Sequence, residues 1–141
     1  MTISSADYFG PRAQHAELTD ALRANADRLL AKVNRLLDRA YQEGAYSADD
    51  DPDTGTQVSG SRGGSGDGGW RSSDSTTGAA GSKHRSAHAV DVFDPLGALD
   101  DWLTDELLTI YGLWREHPEA TPTWCHLADL PPASGKRTFW P

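Results

Sequence analysis

The chain has little of three things: cysteine, basic charge and long apolar runs. Its single cysteine among 141 residues excludes a disulfide within the chain and suits synthesis in a reducing compartment. Only 13 Lys and Arg residues stand against 21 Asp and Glu, and the net charge of −8 argues against nucleic-acid binding, which needs clustered cations. No apolar run is long enough for a transmembrane segment, and the polar N-terminal residues lack the apolar core of a secretory signal. We therefore expect synthesis in the cytoplasm without a signal peptide.

The length predicts one domain over residues 1–141, with an N-terminal helical part at 1–44 and a second part at 45–141. Gly10-Pro11 can begin the helical part, Thr19-Asp20 is a possible break, and Gly44 can end it. Apolar residues recur at intervals of three, four and seven and predict a core-facing stripe: Leu18, Leu22, Leu29, Val33, Leu36 and Ala40.

The second part combines strands with further helices. Residues 56–59, 89–93 and 124–127 have the composition of short strands, and the Asp94-Pro95 pair can open a helix. Thr104 can cap a second helix within that run. A helical core stripe is predicted at Leu96, Leu99, Leu103, Leu107, Ile110 and Trp114, with Asp100 among its solvated residues. The pattern predicts an α+β fold, a small antiparallel sheet with packed helices.

Two stretches between these elements are predicted to be loops. Residues 49–53 hold an acidic run that lacks the ligand spacing of a calcium-binding EF-hand, and we expect a solvated loop. A Gly/Ser-rich loop follows at about 59–81 and lacks the order of a phosphate-binding loop.

Three side chains form a candidate metal site. His84 lies on a turn of small residues, Asp91 on the strand at 89–93, and His126 on the strand at 124–127. Two imidazoles and a carboxylate are the ligands that hold a catalytic zinc and leave a fourth position for water. Cys125 would point away from His126 as a buried apolar side chain. His88 is either exposed or a supporting residue behind the ligands.

These residues resemble the zinc motif of the M15 peptidases. Written S-x-H-x-x-[G/A]-x-A-x-D with a later W-x-H, the motif is matched by Ser82, His84, Ala89, Asp91, Trp124 and His126. Ala87 stands where the family usually has glycine. The similarity runs from about Val58 to the end and looks closest to short phage-encoded members. It implies a hedgehog/DD-peptidase-like fold and a Zn cofactor held by the two histidines and the aspartate.

The resemblance also implies roles outside the ligand set. The family's S-G-x-R segment places Arg62 as the residue that holds the substrate, because a guanidinium grips carboxylate or carbonyl oxygens in pairs, with Arg71 as its competitor. Ser82 and Trp124 would support the ligands without binding the metal.

The sequence differs from the M15 pattern at the position of the general base. Many M15 enzymes have a Glu three residues before the second zinc histidine, and here that position is Thr123. Glu116 is our first candidate for the catalytic base, ahead of Glu119 and Asp129.

The expected function is that of a zinc metallopeptidase that hydrolyses peptidoglycan stem peptides or cross-links. A phage-encoded endolysin or virion-associated enzyme would act at the cell wall or within a phage virion, with the peptidoglycan peptide as substrate and virion proteins as possible partners. The alternative is a non-catalytic, M15-derived cell-wall-binding or virion structural protein. A carboxylate within hydrogen-bond reach of the zinc water would distinguish the two.

Overall fold

Helices precede and follow a small sheet in the computed structural model, which describes residues 3–60, 67–76 and 82–141. The helices within these residues are α1 Ser5–Phe9, α2 Asp20–Gln42, α3 Ala98–Trp102 and α4 Asp105–Tyr111. The strands are β1 Ala89–Phe93, β2 Trp114–Glu116, β3 Trp124–Ala128 and β4 Thr138–Phe139. The α+β prediction is therefore confirmed. No helix among the described residues is both long and apolar enough to cross a membrane.

The long helix α2 begins at the predicted break. The Thr19 hydroxyl accepts a hydrogen bond from Leu22 N at 3.2 Å, which satisfies one of the free amides of the first turn. Gly10-Pro11 instead begins a separate 3-10 turn, Gly10–Arg12. The buried face of α2 carries the core residues Ala26, Leu29, Leu30, Val33, Leu36, Leu37 and Ala40. This helix covers the side of the sheet opposite the candidate site, since its buried residues share one core with Val90 and Leu127.

The sheet has the strand order β1-β3-β2-β4 and is mixed. Strand β3 is antiparallel to both β1 and β2, whereas β4 is parallel to β2. The prediction of a purely antiparallel sheet is wrong for β4. After β3 the chain reverses over residues 129–137, so β4 runs opposite to β3. Because β2 also runs opposite to β3, β4 pairs with the far edge of β2 in parallel.

The outer edge of β1 is closed by two earlier segments. Ser59 N donates to Asp91 O at 2.8 Å, and Phe93 N donates to Gln57 O at 2.8 Å. The strand predicted at 56–59 is thus present as a short bridged segment. Asp91 N donates to Gly68 O at 2.7 Å. The backbone of Asp91 is therefore held by both neighbouring segments.

The helices after β1 begin later than the sequence predicts. Asp94 accepts hydrogen bonds from Leu99 N at 3.1 Å and Asp100 N at 3.0 Å, so it caps α3 from outside the helix. Leu96 lies in the intervening loop and is 91% exposed, and Ile110 on α4 is 59% exposed. The predicted core stripe is wrong for these two residues.

The other residues of that stripe lie in or against the core, except Trp114, which lies on a strand. Leu99 and Leu103 are buried, and the capping role of Thr104 is confirmed by its bond from Leu107 N at 3.1 Å. Trp114 lies on β2 and not on a helix, because Gly112, with φ +69°, ends α4 before it.

Two aspartates that were predicted to be solvated are buried. The Asp100 carboxylate accepts a hydrogen bond from Arg115 Nη1 at 3.3 Å, and the same nitrogen donates to the backbone oxygen of Asp100 at 2.7 Å. Asp51 accepts from Gly60 N at 2.9 Å and from Asp53 N at 2.8 Å, so it organises the acidic turn. Each buried carboxylate is hydrogen-bonded, as a buried charge requires.

Candidate metal centre

Strand alternation brings the predicted site residues to one face of the sheet. Asp91 on β1 lies directly opposite His126 on β3 in the antiparallel register. Their neighbours Val90, Val92, Cys125 and Leu127 enter the core on the other side. Because successive side chains in a strand point to opposite faces, Asp91 and His126 both project away from α2.

The turn before β1 delivers His84 to the same place. His88 N donates to Lys83 O at 2.9 Å, and His84 N donates to Ser82 Oγ at 3.3 Å. Ala87 completes the turn with φ +60°, the left-handed region that favours glycine. An alanine in this region carries some backbone strain, because its Cβ approaches the following carbonyl oxygen.

Three ligand atoms converge in a nearly equilateral triangle. His84 Nε2 lies 3.3 Å from His126 Nδ1 and 3.3 Å from Asp91 Oδ1, and His126 Nδ1 lies 2.9 Å from Asp91 Oδ1. Ligands in a tetrahedral zinc site, with bonds of about 2.0–2.1 Å, are about 3.3 Å apart. The three residues are buried, and the prediction that they meet where one metal ion could bind is confirmed.

A backbone carbonyl orients the His84 ring. Its Nδ1 lies 2.9 Å from Gly69 O and donates its hydrogen there, so Nε2 is the nitrogen that faces Asp91 and His126. Gly69 passes so close to α1 that a Cβ there would lie 1.8 Å from Tyr8 O. Only glycine fits at this position, and the packing of α1 therefore helps to orient the His84 ring.

Arg71 lies behind Asp91. Its Nη2 is 3.4 Å from Asp91 Oδ2, the oxygen that is not part of the triangle, and its Nε donates to Asp67 O at 2.6 Å. Asp67 is held in turn by Arg12. Arg71 is thus positioned to orient Asp91. The other predicted substrate residue, Arg62, lies outside the described residues.

The charges within the cluster keep the aspartate ionised. Burial alone raises the pKa of Asp91, but the charge of His84 and the hydrogen bonds from His126 and His84 outweigh it and hold that pKa well below its usual range. Burial lowers the pKa of His126, and its bond to Asp91 outweighs this and raises it. A metal ion that bound His126 Nδ1 would therefore compete with a proton on this ring.

Glu116, the first candidate for the catalytic base, lies close to His126. Its Oε1 lies 3.8 Å from His126 Nε2, and its side chain is 22% exposed. Of the other two candidates, Glu119 is exposed on the 3-10 turn Pro118–Ala120, and Asp129 is paired with His88 at 2.8 Å. Glu116 shares its face of the sheet with Phe139, whose ring centroid is 6.3 Å from that of His126.

The remaining predicted residues lie near the centre or behind it. Trp124 is 8% exposed and shares with His126 the site face of β3. Cys125 is fully buried on the opposite face, and burial raises the pKa of its thiol, so it is a packing residue as predicted.

The sequence did not predict the supporting contacts of Gly69, Asp67 and Arg12. The Gly68-Gly69 pair was the one visible signal, because paired glycines mark a close backbone approach. The contact between Arg12 and Asp67 joins residues 55 positions apart and has no local pattern. Comparison of the chain with protein-family models, with curated proteins and with solved structures found no significant match.

Proposed function

We propose that this chain is a zinc metallopeptidase of the M15 type, with a hedgehog/DD-peptidase-like fold, that hydrolyses peptidoglycan stem peptides or cross-links. The observation that carries the proposal is the triangle of His84 Nε2, Asp91 Oδ1 and His126 Nδ1, whose sides of 3.3, 3.3 and 2.9 Å suit a tetrahedral ion. Two imidazoles and one carboxylate leave the fourth position of that ion for water, which is the arrangement of a catalytic and not a structural zinc.

Zinc held there would supply a water of lowered pKa and polarise the scissile carbonyl. The chain's own residues hold the reacting groups in place and transfer protons. Glu116 accepts a proton on Oε1 and passes it to the leaving amine, and His126 and Asp91 remain fixed as ligands. Arg71 holds Asp91 Oδ2 and so directs Oδ1 toward the ion. Arg62 remains the proposed anchor of the substrate.

The position of Glu116 also allows a second role, the orientation of the His126 ring. A carboxylate at His126 Nε2 orients a metal-bound imidazole and raises its basicity. The two roles differ in what a substitution removes. Loss of a general base lowers hydrolysis by about 100- to 10,000-fold and leaves zinc bound. Loss of an orienting carboxylate weakens zinc binding by about 10- to 100-fold.

The experiment compares Glu116→Gln with Glu119→Gln, an exposed glutamate three residues away. Purified peptidoglycan is incubated with each zinc-loaded protein, and new amino groups are counted while zinc content is measured in parallel. We expect Glu116→Gln to lose hydrolysis with zinc retained and Glu119→Gln to match the wild type. A Glu116→Gln protein as active as the wild type would refute the assignment of the base.

One observation favours a second function, a non-catalytic wall-binding or virion structural protein. Thr123 replaces the usual glutamate, and the distance from Glu116 is measured to the far nitrogen of His126. This alternative predicts a zinc-loaded wild type that binds peptidoglycan and releases no amino groups from the wall of any host tested.

A further inference from the structure

A short stretch of chain beside the sheet contacts two of the three predicted metal ligands. The backbone oxygen of Gly68 accepts a hydrogen bond from Asp91 N at 2.7 Å. The backbone oxygen of Gly69 accepts one from His84 Nδ1 at 2.9 Å. Arg71 contacts both ligands, since its Nη2 lies 3.4 Å from Asp91 Oδ2 and its backbone N donates to His84 O at 3.3 Å. The placement of both ligands therefore depends on the placement of this stretch.

Arg12 holds the stretch, residues 67–71, at two points. Its Nη2 donates to Asp67 Oδ1 at 2.5 Å, and its Nη1 donates to Trp70 O at 3.2 Å. The two acceptors lie on either side of the Gly68-Gly69 pair whose oxygens meet the ligands. Because a guanidinium is planar and presents its nitrogens in a fixed fork, the two bonds fix both acceptors relative to one another.

The contact between Arg12 and Asp67 is shielded from water. Their side chains are 17% and 4% exposed, so salt screens this ion pair much less than a surface pair. The other carboxylate oxygen of Asp67 accepts a hydrogen bond from Ser75 Oγ at 3.2 Å. Charge-assisted hydrogen bonds of this kind are about twice as strong as neutral ones. Asp67 is therefore firmly held, and so is the start of the stretch.

The influence of Arg12 reaches Asp91 through a second arginine. Arg71 Nε donates to the backbone oxygen of Asp67 at 2.6 Å, so the guanidinium that meets Asp91 is anchored on the residue that Arg12 holds. If Arg12 only stabilised the fold, its loss would lower the free energy of unfolding and leave the centre of the folded protein unchanged. If Arg12 positions the ligands, its loss changes the centre while the protein is folded.

We propose that Arg12 is a positioning residue of the metal centre, which holds His84 and Asp91 in place through residues 67–71 and so raises the affinity for a metal ion. The inference rests on the metal centre of the proposed function and not on hydrolysis. It makes the 3-10 turn Gly10–Arg12, which lies outside the sheet, a part of the site.

The test measures the zinc affinity of the full chain by competition with a chromophoric chelator. Arg12→Met should bind zinc about tenfold more weakly, the lower end of the range for loss of a residue behind a metal ligand, because Arg12 acts through residues in between. Arg12→Lys keeps the charge beside Asp67 but offers one nitrogen in place of two, so its affinity should lie between the other two values. Wild-type affinity in either variant would overturn the proposal.

Arg23→Met is the matched control. Arg23 Nη2 donates to Ala13 O at 3.1 Å, and its guanidinium carbon lies 5.6 Å from the centroid of the Phe9 ring. These contacts hold the same N-terminal part of the chain and do not involve residues 67–71. Arg23→Met should therefore bind zinc as the wild type does. A loss equal to that of Arg12→Met would overturn the proposal, because it would show that any loosening of the N-terminal part weakens the site.

Cobalt(II) in place of zinc reports the geometry of the centre, since the visible absorption bands of cobalt depend on the arrangement of its ligands. In the folded, cobalt-saturated protein, Arg12→Met should change the position or intensity of these bands. Arg23→Met should have the spectrum of the wild type. A wild-type spectrum in Arg12→Met would show a purely structural role and would overturn the proposal.

Amide hydrogen exchange of the metal-free protein separates this inference from the proposed function. The amides of Asp91 and Arg71 donate to Gly68 O and His84 O, and both should exchange faster in Arg12→Met while the amides of α2 keep their rates. Unchanged exchange at both amides would overturn the proposal. A wild type that binds no zinc would refute the metal centre, and the exchange rates would then still decide whether Arg12 positions His84 and Asp91.

Discussion

Replacement of Asp91 by asparagine removes one negative charge from the centre with almost no change of shape. The Asp91 carboxylate faces three groups: His84 at 3.3 Å, His126 at 2.9 Å and Arg71 at 3.4 Å. The Arg71 and Asp91 side chains are only 8% and 2% exposed. Removal of one partner from a buried ion pair costs about 3–5 kcal/mol. Since Arg71 keeps its bond to Asp67 O, we expect the lower end of that range in the metal-free protein.

The same substitution should abolish the stabilisation that zinc provides. A ligand in a thousandfold excess over its dissociation constant stabilises the folded state by about 4 kcal/mol. Asp91→Asn lacks the anionic ligand, so its zinc affinity should fall by orders of magnitude and this gain should nearly vanish. Urea unfolding with and without zinc measures the gain, and competition with a chromophoric chelator measures the affinity.

Asp129→Asn is the matched control. Asp129 also pairs with a histidine, His88 at 2.8 Å, but outside the triangle. This variant should keep the zinc affinity and the zinc-dependent stabilisation of the wild type. If Asp91→Asn also gains about 4 kcal/mol from the same excess of zinc, the ligand assignment is wrong.

Three further predictions concern the scaffold around the centre. Ala87→Gly relieves about 1–2 kcal/mol of left-handed strain, but it loses a buried methyl group worth about 0.8 kcal/mol and raises the entropy of the unfolded chain. The free energy of unfolding should therefore change by less than about 1 kcal/mol. A larger loss of stability in urea would contradict the presence of strain at Ala87. Tyr8→Phe removes the buried bond to Ala89 O at 2.9 Å and should cost about 1–3 kcal/mol in the same assay, whereas no cost would show that this bond contributes nothing. Burial raises the pKa of Asp100 from 3.8 to about 6 despite Arg115, so the folded state binds a proton more readily than the unfolded state. The wild type should therefore lose stability relative to Asp100→Asn as the pH rises from 3.8 to 6, and the opposite trend in urea midpoints would refute the assignment.

Local patterns were enough to predict the two strands that carry Asp91 and His126. The alternation at 89–93 gives β1 with the bounds Ala89–Phe93, and the hydroxyls of Thr19 and Thr104 begin helices as expected. The meeting of His84 with Asp91 and His126 came from the motif and not from periodicity. A motif specifies which residues approach one another even where no local rule does.

Contacts between distant segments were not visible in the sequence. Asp100 looks like a solvated helix residue until Arg115, on β2, is seen to pair with it. The contact between Arg71 Nη2 and Asp91 was likewise not predicted, and the substrate role of Arg71 stays a prediction. The parallel pairing of β4 depends on the path of the chain over residues 129–137, where no hydrophobic period indicates direction. Whether a charged side chain can be buried depends on such partners, which can lie anywhere in the chain.

The most direct test of the metal centre is an anomalous difference map, recorded at the zinc absorption edge from crystals of protein purified without chelator. Our account predicts one peak per chain, with His84 Nε2, Asp91 Oδ1 and His126 Nδ1 at about 2.0–2.2 Å and a fourth position open to solvent. Absence of a peak, or a peak at other residues, would contradict it.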